Sequence, residues 1–519
     1  MEIKSDASFL KNTRCADVST ESQIDYTLPD YLGDVRGIVF SDATLRPSGR
    51  FAGGNEVEFS GIVVYRVIYL DSDGEVCSVE FTSDYDYSVK CSGESYNDSI
   101  SDIRVASFSV RVTGPRRISA KANLIAGVRI SETDSISVVG NALDGEGKPE
   151  VSISTKKIRL SRPSSVVERE FAESVARLDG YIADEVSVIY TGSEAHVESV
   201  EKSEDGVTLS GNMKMYSIIK NGSSTAYRAE KVVSFEENVP FDAMSEETYI
   251  LPGCSVSSLR ADVNADDDGC EVVMSAILEF SVVGEENQSI ELTADAFFTD
   301  FPTDNGYQNF EYSTLLDVKE EKHTLSTELL REENELSDIR EVLFLTATPR
   351  IEESMVEPDV IKLSGEVKYS GIATKQIDDK ITYTGIKFSS PFEKNVNITC
   401  QNCDKVSFET EIHATNASAV LDANKLYASC VLDIRVVVCE ERCDSILSSM
   451  TKVSGEEYKT DVAKVSVYYP VKGESLFSVA KKFHASPTKI ARDNGVTESA
   501  FMSDSFSEDI TGVKKLIIY

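Results

Sequence analysis

The sequence lacks long hydrophobic runs. Its apolar stretches, of which Ile62 to Leu70 is an example, are shorter than a membrane-spanning helix needs and have the composition of strands. The first residues also lack the basic segment and the apolar segment of a secretory leader. We therefore expect neither membrane insertion nor export by the usual route.

Positive charge is scarce. The 519 residues include 52 Lys and Arg against 88 Asp and Glu, which gives a formal net charge of -36. Phosphate binding needs clustered basic residues, so this balance argues against a partner that is nucleic acid or anionic lipid. From Ser466 to Tyr519, however, seven basic residues face six acidic ones, and this tail is a separate electrostatic unit.

Recognisable catalytic motifs are also missing. There is no Gly-rich phosphate loop, no nucleophile elbow and no helix with the HExxH pattern. The four histidines are scattered along the chain, at His196, His323, His413 and His484. We expect no enzyme and no cofactor, although an active site assembled from distant residues stays open as an alternative.

Cysteines are few and unevenly spaced. Ten in 519 residues do not resemble the framework of a small disulfide-rich secreted protein, and reduced thiols in a cytosol fit better. One local group is a weak candidate for zinc, because two short Cys spacings could meet at the ends of hairpins. Its members are Cys400, Cys403, Cys439 and Cys443.

What the sequence does contain is a pattern that occurs three times. Segments 55–76, 205–226 and 359–380 each read as an alternating strand, a Ser-Gly step and more strand. The glycines are 150 and 154 residues apart, and an aspartate precedes each by 27 residues. These landmarks are Asp34 with Gly61, Asp184 with Gly211, and Asp338 with Gly365.

A third landmark follows in each copy, at 105–130, 256–284 and 414–440, where two alternating strands surround a polar turn. The sequence thus predicts a mainly β chain with three tandem β-sandwich-like repeat domains, each with its own core. We place them at 1–163, 164–320 and 321–460, with a small βααβ domain at 461–519. The charged stretches 164–178 and 318–339 are predicted as short helices or extended linkers.

The tail changes pattern. Segment 464–473 alternates as a strand, and the next residues, from Leu476 to Phe483, carry one apolar helical stripe behind Ser475 as N-cap. A second helix is predicted to start at Ser486-Pro487 and to end at Asn494-Gly495, before a closing strand at 512–519. The core is predicted to contain Leu476, Val479, Ala480, Phe483, Ile490, Leu516 and Ile518.

These tail residues resemble the LysM domain, with Gly473-Glu474-Ser475-Leu476 in place of its Gly-Asp-Thr-Leu turn. In that family the turn and the loop before the last strand hold N-acetylglucosamine polymers. The altered turn and the acidic loop 497–509 make glycan binding doubtful. Including the large apolar residues of that loop, the candidate partner-binding positions are Lys472, Glu474, Ser475, Phe477, Asn494, Phe501, Met502 and Phe506.

Three repeats followed by one such tail resemble the SipL-type spore morphogenetic proteins, whose repeats are called SPOCS domains. The resemblance implies a protein of the mother-cell cytoplasm that coats the outer surface of the forespore. It also implies that the LysM domain binds a SpoIVA-like spore-coat ATPase, with other coat proteins as further possible partners. A cell-wall protein that binds peptidoglycan is the alternative.

Overall fold

The computed structural model describes residues 5–53, 56–90, 96–138, 149–222, 225–242, 245–266, 268–332, 336–377, 380–399, 405–453, 458, 465–471, 474–496 and 514–519. Most of these residues lie in strands, which confirms the predicted mainly β fold class. The alternating segments form long antiparallel hairpins, because side chains of one parity face a core and those of the other face solvent.

The first pair of sheets uses six strands. Its sheets have the orders β1-β6-β5 and β2-β3-β4. The strands are β1 (Ser5–Thr27), β2 (Val35–Gly53), β3 (Glu56–Asp71), β4 (Val76–Lys90), β5 (Tyr96–Gly114) and β6 (Arg117–Val138).

The second pair has the sheet orders β11-β10-β9 and β12-β13-β7, with β8 also paired to β13. Its strands are β7 (Glu150–Pro163), β8 (Val167–Asp179), β9 (Val186–Ser203), β10 (Gly206–Asn221), β11 (Tyr227–Val239), β12 (Tyr249–Asp266) and β13 (Gly269–Phe297). A 3-10 turn at Ala183–Glu185 precedes β9. Because β7 and β8 pair with opposite halves of β13, together they take the place of one long strand.

The third pair has the sheet orders β14-β19-β18 and β15-β16-β17. Its strands are β14 (Thr303–Leu330), β15 (Ile339–Glu357), β16 (Val360–Ile377), β17 (Lys380–Asn397), β18 (Val406–Leu421) and β19 (Lys425–Lys452). Each strand is grouped with the sheet to which it bonds, so β7 falls in the second pair and all of β14 in the third. The second pair therefore begins at Glu150 and the third at Thr303, before the predicted domain boundaries at 163 and 320.

The two charged stretches lie mostly in strands, since β8 begins at Val167 and β14 continues to Leu330. In β14, exposed and half-buried residues alternate from Glu320 to Leu330, which is the period of a strand. Their charged side chains occupy the solvent side, and β8 likewise turns Phe171 inward and its charges outward. The many charged residues obscured the alternation of inward and outward side chains in the sequence. The pairing of β8 with β13 and of β14 with β19 shows it.

The repeated glycines sit where two strands come too close for a side chain. A Cβ on Gly365 would lie 2.0 Å from the carbonyl oxygen of Arg350 on β15. The corresponding distances are 2.6 Å from Gly61 to Arg46 and 2.1 Å from Gly211 to His196. A register shift accompanies each contact, so glycine permits a bulged, closely spaced pair.

Each of these glycines also has an aromatic residue directly opposite on the next strand. The pairs are Gly61 with Tyr85, Gly211 with Phe235, and Gly365 with Phe392. All three aromatic side chains are buried. The ring fills the space over the glycine and restores the packing that the missing side chain gives up.

Each sheet pair encloses a core of its own, with Tyr65, Met213 and Tyr369 among the fully buried side chains. The pairs are nevertheless joined, because Phe40, Tyr190 and Phe344 meet in one cluster, which we call the aromatic triad. Ring centroids lie 4.9 Å apart for Phe40 and Phe344, 5.5 Å for Phe40 and Tyr190, and 4.4 Å for the stacked Tyr190 and Phe344. Each ring is the sixth residue after its landmark aspartate.

A buried ion network makes a second junction among the three pairs. Arg159 on β7 forms two hydrogen bonds of 2.8 and 2.9 Å to Glu285 on β13, whose side chain is only 1 % exposed. Arg159 also donates to Glu409 on β18, and Arg129 on β6 forms ion pairs with both carboxylates. Burial alone would raise the pKa of Glu409, but the charges of Arg129 and Arg159 outweigh it and hold that pKa at about 2.

The tail contains β20 (Ser466–Tyr468), α1 (Leu476–Phe483), α2 (Pro487–Asn494) and β21 (Leu516–Ile518). The two strands are antiparallel. Ser475 caps α1 by accepting a hydrogen bond of 3.1 Å from the amide of Ser478, and α2 begins with proline and ends at Gly495 in the left-handed conformation. Among the residues that the structure describes, no helix is long and apolar enough to cross a bilayer.

Candidate functional site

The predicted core residues of the tail are buried or half-buried in one cluster. Leu476, Val479, Ala480, Ile490, Leu516 and Ile518 are buried in one cluster, and Phe483 packs against it half-buried. This follows from the helical spacing in α1 and from the inward parity of β21. None of these side chains is available to a ligand.

Two of the candidate residues hold the turn before α1. The Glu474 carboxylate accepts hydrogen bonds from the Tyr468 hydroxyl at 2.7 and 2.9 Å and from the Val471 amide at 2.9 Å. These bonds, first from the Val471 amide and then from Tyr468, lower the pKa of Glu474. Since Ser475 is the N-cap, both residues act on the backbone of their own turn.

Asn494 ties the second helix to the closing strand. Its Nδ2 donates to the carbonyls of Ile490 and Ile517, each at 2.7 Å, and its Oδ1 accepts from the Ile517 amide at 2.6 Å. The side chain therefore satisfies three backbone groups at once. In this structure Asn494 has a structural role in the tail.

The expectation that Phe477 lies on the surface is corrected. Its side chain is 4 % exposed and meets Phe297 at the end of β13, with ring centroids 5.2 Å apart and planes at 69°. The spacing in α1 directs Phe477 away from the helix stripe, but the body of the protein covers it. A partner cannot reach this ring while the tail stays in place.

Two further contacts complete this junction, which we call the tail dock. Lys481 on α1 bonds to both carboxylate oxygens of Asp295 on β13, at 2.8 and 2.6 Å. The Tyr307 hydroxyl donates to the same carboxylate at 2.8 Å. On the next turn, His484 stacks on Tyr458 with ring centroids 3.7 Å apart, and burial lowers the pKa of His484.

Another part of the tail surface leaves large apolar side chains in water. Alternate residues of the strand around β20 point outward, and the residue after β21 lies beside them. All five are between 55 % and 68 % exposed. This group, which we call the apolar face, consists of Val465, Val467, Tyr469, Val471 and Tyr519.

The apolar face was missed by sequence analysis, although a signal for it exists. From Val465 to Val471, both alternating sets of side chains include apolar residues, and one set has to be buried against the helices. Tyr468 takes the inner side and packs against Phe483 at 5.3 Å. The other set is left without cover, with the exposed Lys514 and Lys515 just before β21.

The remaining tail candidates, Lys472, Phe501, Met502 and Phe506, lie outside the described residues, as do Cys400 and Cys403. Of the other two cysteines, Cys439 is buried beside Leu251 and Leu315, and Cys443 is exposed. Burial raises the pKa of Cys439 in spite of Arg159. Within the part of the chain that the structure describes, no cluster of His, Cys, Asp and Glu could hold a metal ion.

Two of the scattered histidines come together in a cavity of about 820 Å³ between the sheet pairs. His196 and His413 both line it, together with many charged residues. Its charges are largely paired within the protein, since Arg435 contacts Glu320 at 2.9 Å and Glu411 at 3.2 Å. The cavity therefore has an internally compensated lining.

No family model, curated protein or solved structure matches this chain. Its surface chemistry must then be judged from the geometry. Contiguous exposed apolar side chains on a folded domain are typical of contact surfaces for other proteins, whereas scattered ones are ordinary. The apolar face meets this description, because its five exposed residues lie in the two-stranded sheet or within three residues of its strands.

Proposed function

We propose that this chain is a non-enzymatic sporulation adaptor similar to the SipL-type proteins. Its tail is a LysM domain that docks to a SpoIVA-like spore-coat ATPase, and its three sheet pairs are SPOCS-like repeat domains. The adaptor works in the mother-cell cytoplasm at the forespore surface. The observation that carries the proposal is the apolar face, which gives the tail a surface suited to protein.

The chemistry of the apolar face favours a protein partner. Tyrosine supplies a large, rigid contact area and one hydroxyl, and tyrosines are enriched among the residues that dominate binding energies. The face contains two tyrosines, Tyr469 and Tyr519, and three valines. The exposed Lys514 and Lys515 add positive charge at its border, which favours a partner with acidic residues at the rim.

The length of the body supports a multivalent role. Three sheet pairs joined into one body offer further surfaces on the same chain as the tail, so that a second, weaker contact becomes intramolecular. Stable recruitment to a coat then needs no single tight site. Other coat proteins are the partners we propose for the body.

Tyr469→Ser in the full chain tests the role of the apolar face. We expect the affinity for the purified ATPase to fall about tenfold, because a central exposed tyrosine is exchanged for a small polar residue. Tyr31→Ser is the matched control, since Tyr31 lies in the turn between β1 and β2, away from the tail, and is 85 % exposed. Isothermal titration would give both dissociation constants.

The same titrations discriminate the alternative. Equal affinities for the wild type and Tyr469→Ser would remove the apolar face from the interaction. Saturable binding to chito-oligosaccharide without binding to the ATPase would instead support a wall protein that binds peptidoglycan through its N-acetylglucosamine units.

A further inference from the structure

We propose that the tail dock is an autoinhibitory contact: the docked body covers the part of the tail surface that completes the partner site, and binding is strongest when the tail is released. This inference rests on the proposed function and concerns its regulation. It is carried by three observations, namely the turn that joins the apolar face to α1 and Phe477, the composition of the dock, and the ion pair between Asp295 and Lys481.

The apolar face and Phe477 lie on either side of one turn. The amide of Val471, at the end of the face, donates to Glu474, and the Glu474 amide donates back to the Val471 carbonyl at 3.1 Å. Phe477 follows three residues later in the first turn of α1. Release from the body would extend the exposed apolar surface around this turn by one phenylalanine.

The composition of the dock is that of an interface that opens. One aromatic pair, Phe477 with Phe297, forms its apolar centre. The rim is polar and partly wet, since Lys481 is 36 % exposed and Asp295 is 27 % exposed. Junctions between domains of one chain commonly resemble transient protein interfaces in this way, and relative motion is their ordinary behaviour.

The dock differs in this respect from the contacts inside the body. The sheet pairs meet through the fully packed aromatic triad and through Glu285, which is 1 % exposed. The tail is held by fewer and more exposed groups, so it is the part that opens first as conditions change. A partner that binds the extended tail surface selects this open state.

The ion pair between Asp295 and Lys481 offers a reversible way to open the dock. Asp295→Lys places two ammonium groups together and favours release. Adding Lys481→Asp restores an ion pair of opposite polarity and should close the dock again. Asp304→Lys is the matched control, because Asp304 is exposed on neighbouring β14 and the same charge change there leaves the dock intact.

The absence of tryptophan from the chain supplies the readout. Phe477→Trp, introduced into all four forms, gives one indole whose emission shifts to longer wavelength when it leaves Phe297 for water. We expect this red shift for Asp295→Lys only. The affinities are measured in the same four forms with Phe477 retained, and we expect the affinity for the ATPase to rise at least fivefold in Asp295→Lys and to return to the starting value in the double variant.

The outcomes separate regulation from function. A red shift without a gain in affinity overturns autoinhibition while leaving the adaptor proposal standing, and so does the absence of any red shift in Asp295→Lys. If neither the starting protein nor Asp295→Lys binds the ATPase, the adaptor proposal fails and the regulatory one falls with it. A fivefold gain that the second charge change abolishes supports both.

Discussion

Replacing Phe344 with alanine should loosen all three sheet pairs at once. The side chain is 2 % exposed and packs against Phe40 and Tyr190, which belong to the other two pairs. Its loss removes a ring from the aromatic triad and leaves a cavity that neighbouring strands can fill only in part. Buried Phe→Ala changes typically cost about 3–5 kcal/mol.

The magnitude follows from the position of the ring between two others. Tyr190 stacks on it at 4.4 Å and Phe40 meets it edge-on at 4.9 Å, so two aromatic contacts are lost together with the burial. A loss of about 3–5 kcal/mol raises the population of opened molecules about a hundredfold to several thousandfold. Phe51→Ala on β2 is the matched control, because Phe51 is 65 % exposed and its loss should cost under about 0.5 kcal/mol.

Native cysteines report on each sheet pair separately. Cys77 lies in the first pair, half-buried, whereas Cys270 in the second and Cys430 in the third are buried. Pulsed thiol labelling in moderate urea, read by peptide mass spectrometry, measures how often each one opens. We expect Phe344→Ala to accelerate labelling at all three.

Labelling that rises at Cys430 alone would refute this reasoning. Cys430 belongs to the same sheet pair as Phe344, so an isolated effect would mean that the pairs unfold independently. The expectation of separate domains, each stabilised by its own core, would then stand. Unchanged labelling at every site would mean that the triad contributes little to stability.

Two further substitutions test the ion network and the glycine contacts. Glu409 has a pKa of about 2 in the folded protein against 4.5 for the free side chain, so it contributes at most about 3 kcal/mol of stability above pH 4.5, and this is lost as the pH falls toward 2. The difference in urea midpoint between the wild type and Glu409→Gln should therefore shrink as the pH falls from 4.5 to 2. A difference that stays constant would contradict the assignment. Gly365→Ala should destabilise the chain by about 1–3 kcal/mol, because its Cβ would lie 2.0 Å from the Arg350 carbonyl, whereas Gly37→Ala, with open space around it, should shift the urea midpoint little.

Much of the fold could be predicted because its signals are local. Alternation and polar turns identified the hairpins from β5 to β6, β12 to β13 and β18 to β19. The glycine landmarks were recognisable for a similar reason, since a Cβ at each of these bulges would approach a neighbouring backbone carbonyl too closely. Ser475 and Gly495 marked the helix ends of the tail through the backbone geometry that they satisfy.

The joining of the sheet pairs could not be predicted in the same way. Phe40, Tyr190 and Phe344 each look like an ordinary inward residue of an alternating strand, and more than 140 residues separate one from the next. Only the arrangement of the sheets shows that they share a site. The ion network could not be predicted either, because its four members come from four strands.

The candidate site was predictable in its location and less so in its surface. Sequence pattern separated the tail from the body and identified Glu474 and Ser475, which form its turn. It could not assign Phe477, because the side that α1 turns to the body depends on where β13 ends. It also missed the apolar face, since an alternating strand with two apolar sides does not reveal which one the helices cover.

The contacts that join the three sheet pairs are stronger than those of the tail dock, and this difference decides which part of the molecule can move. Opening the body means separating stacked rings and exposing the buried Glu285 together with its two arginine partners. Opening the tail dock breaks two aromatic contacts and one ion pair that already touches water. Fully packed rings contribute more than half-exposed groups do, whereas the attraction within a buried ion network is largely offset by the cost of desolvation. Asp295→Lys should therefore free the tail without accelerating thiol labelling in the body, whereas Phe344→Ala should have its largest effect there. If both changes loosened both regions equally, body and tail would form one cooperative unit, and a regulated release of the tail would lose its physical basis.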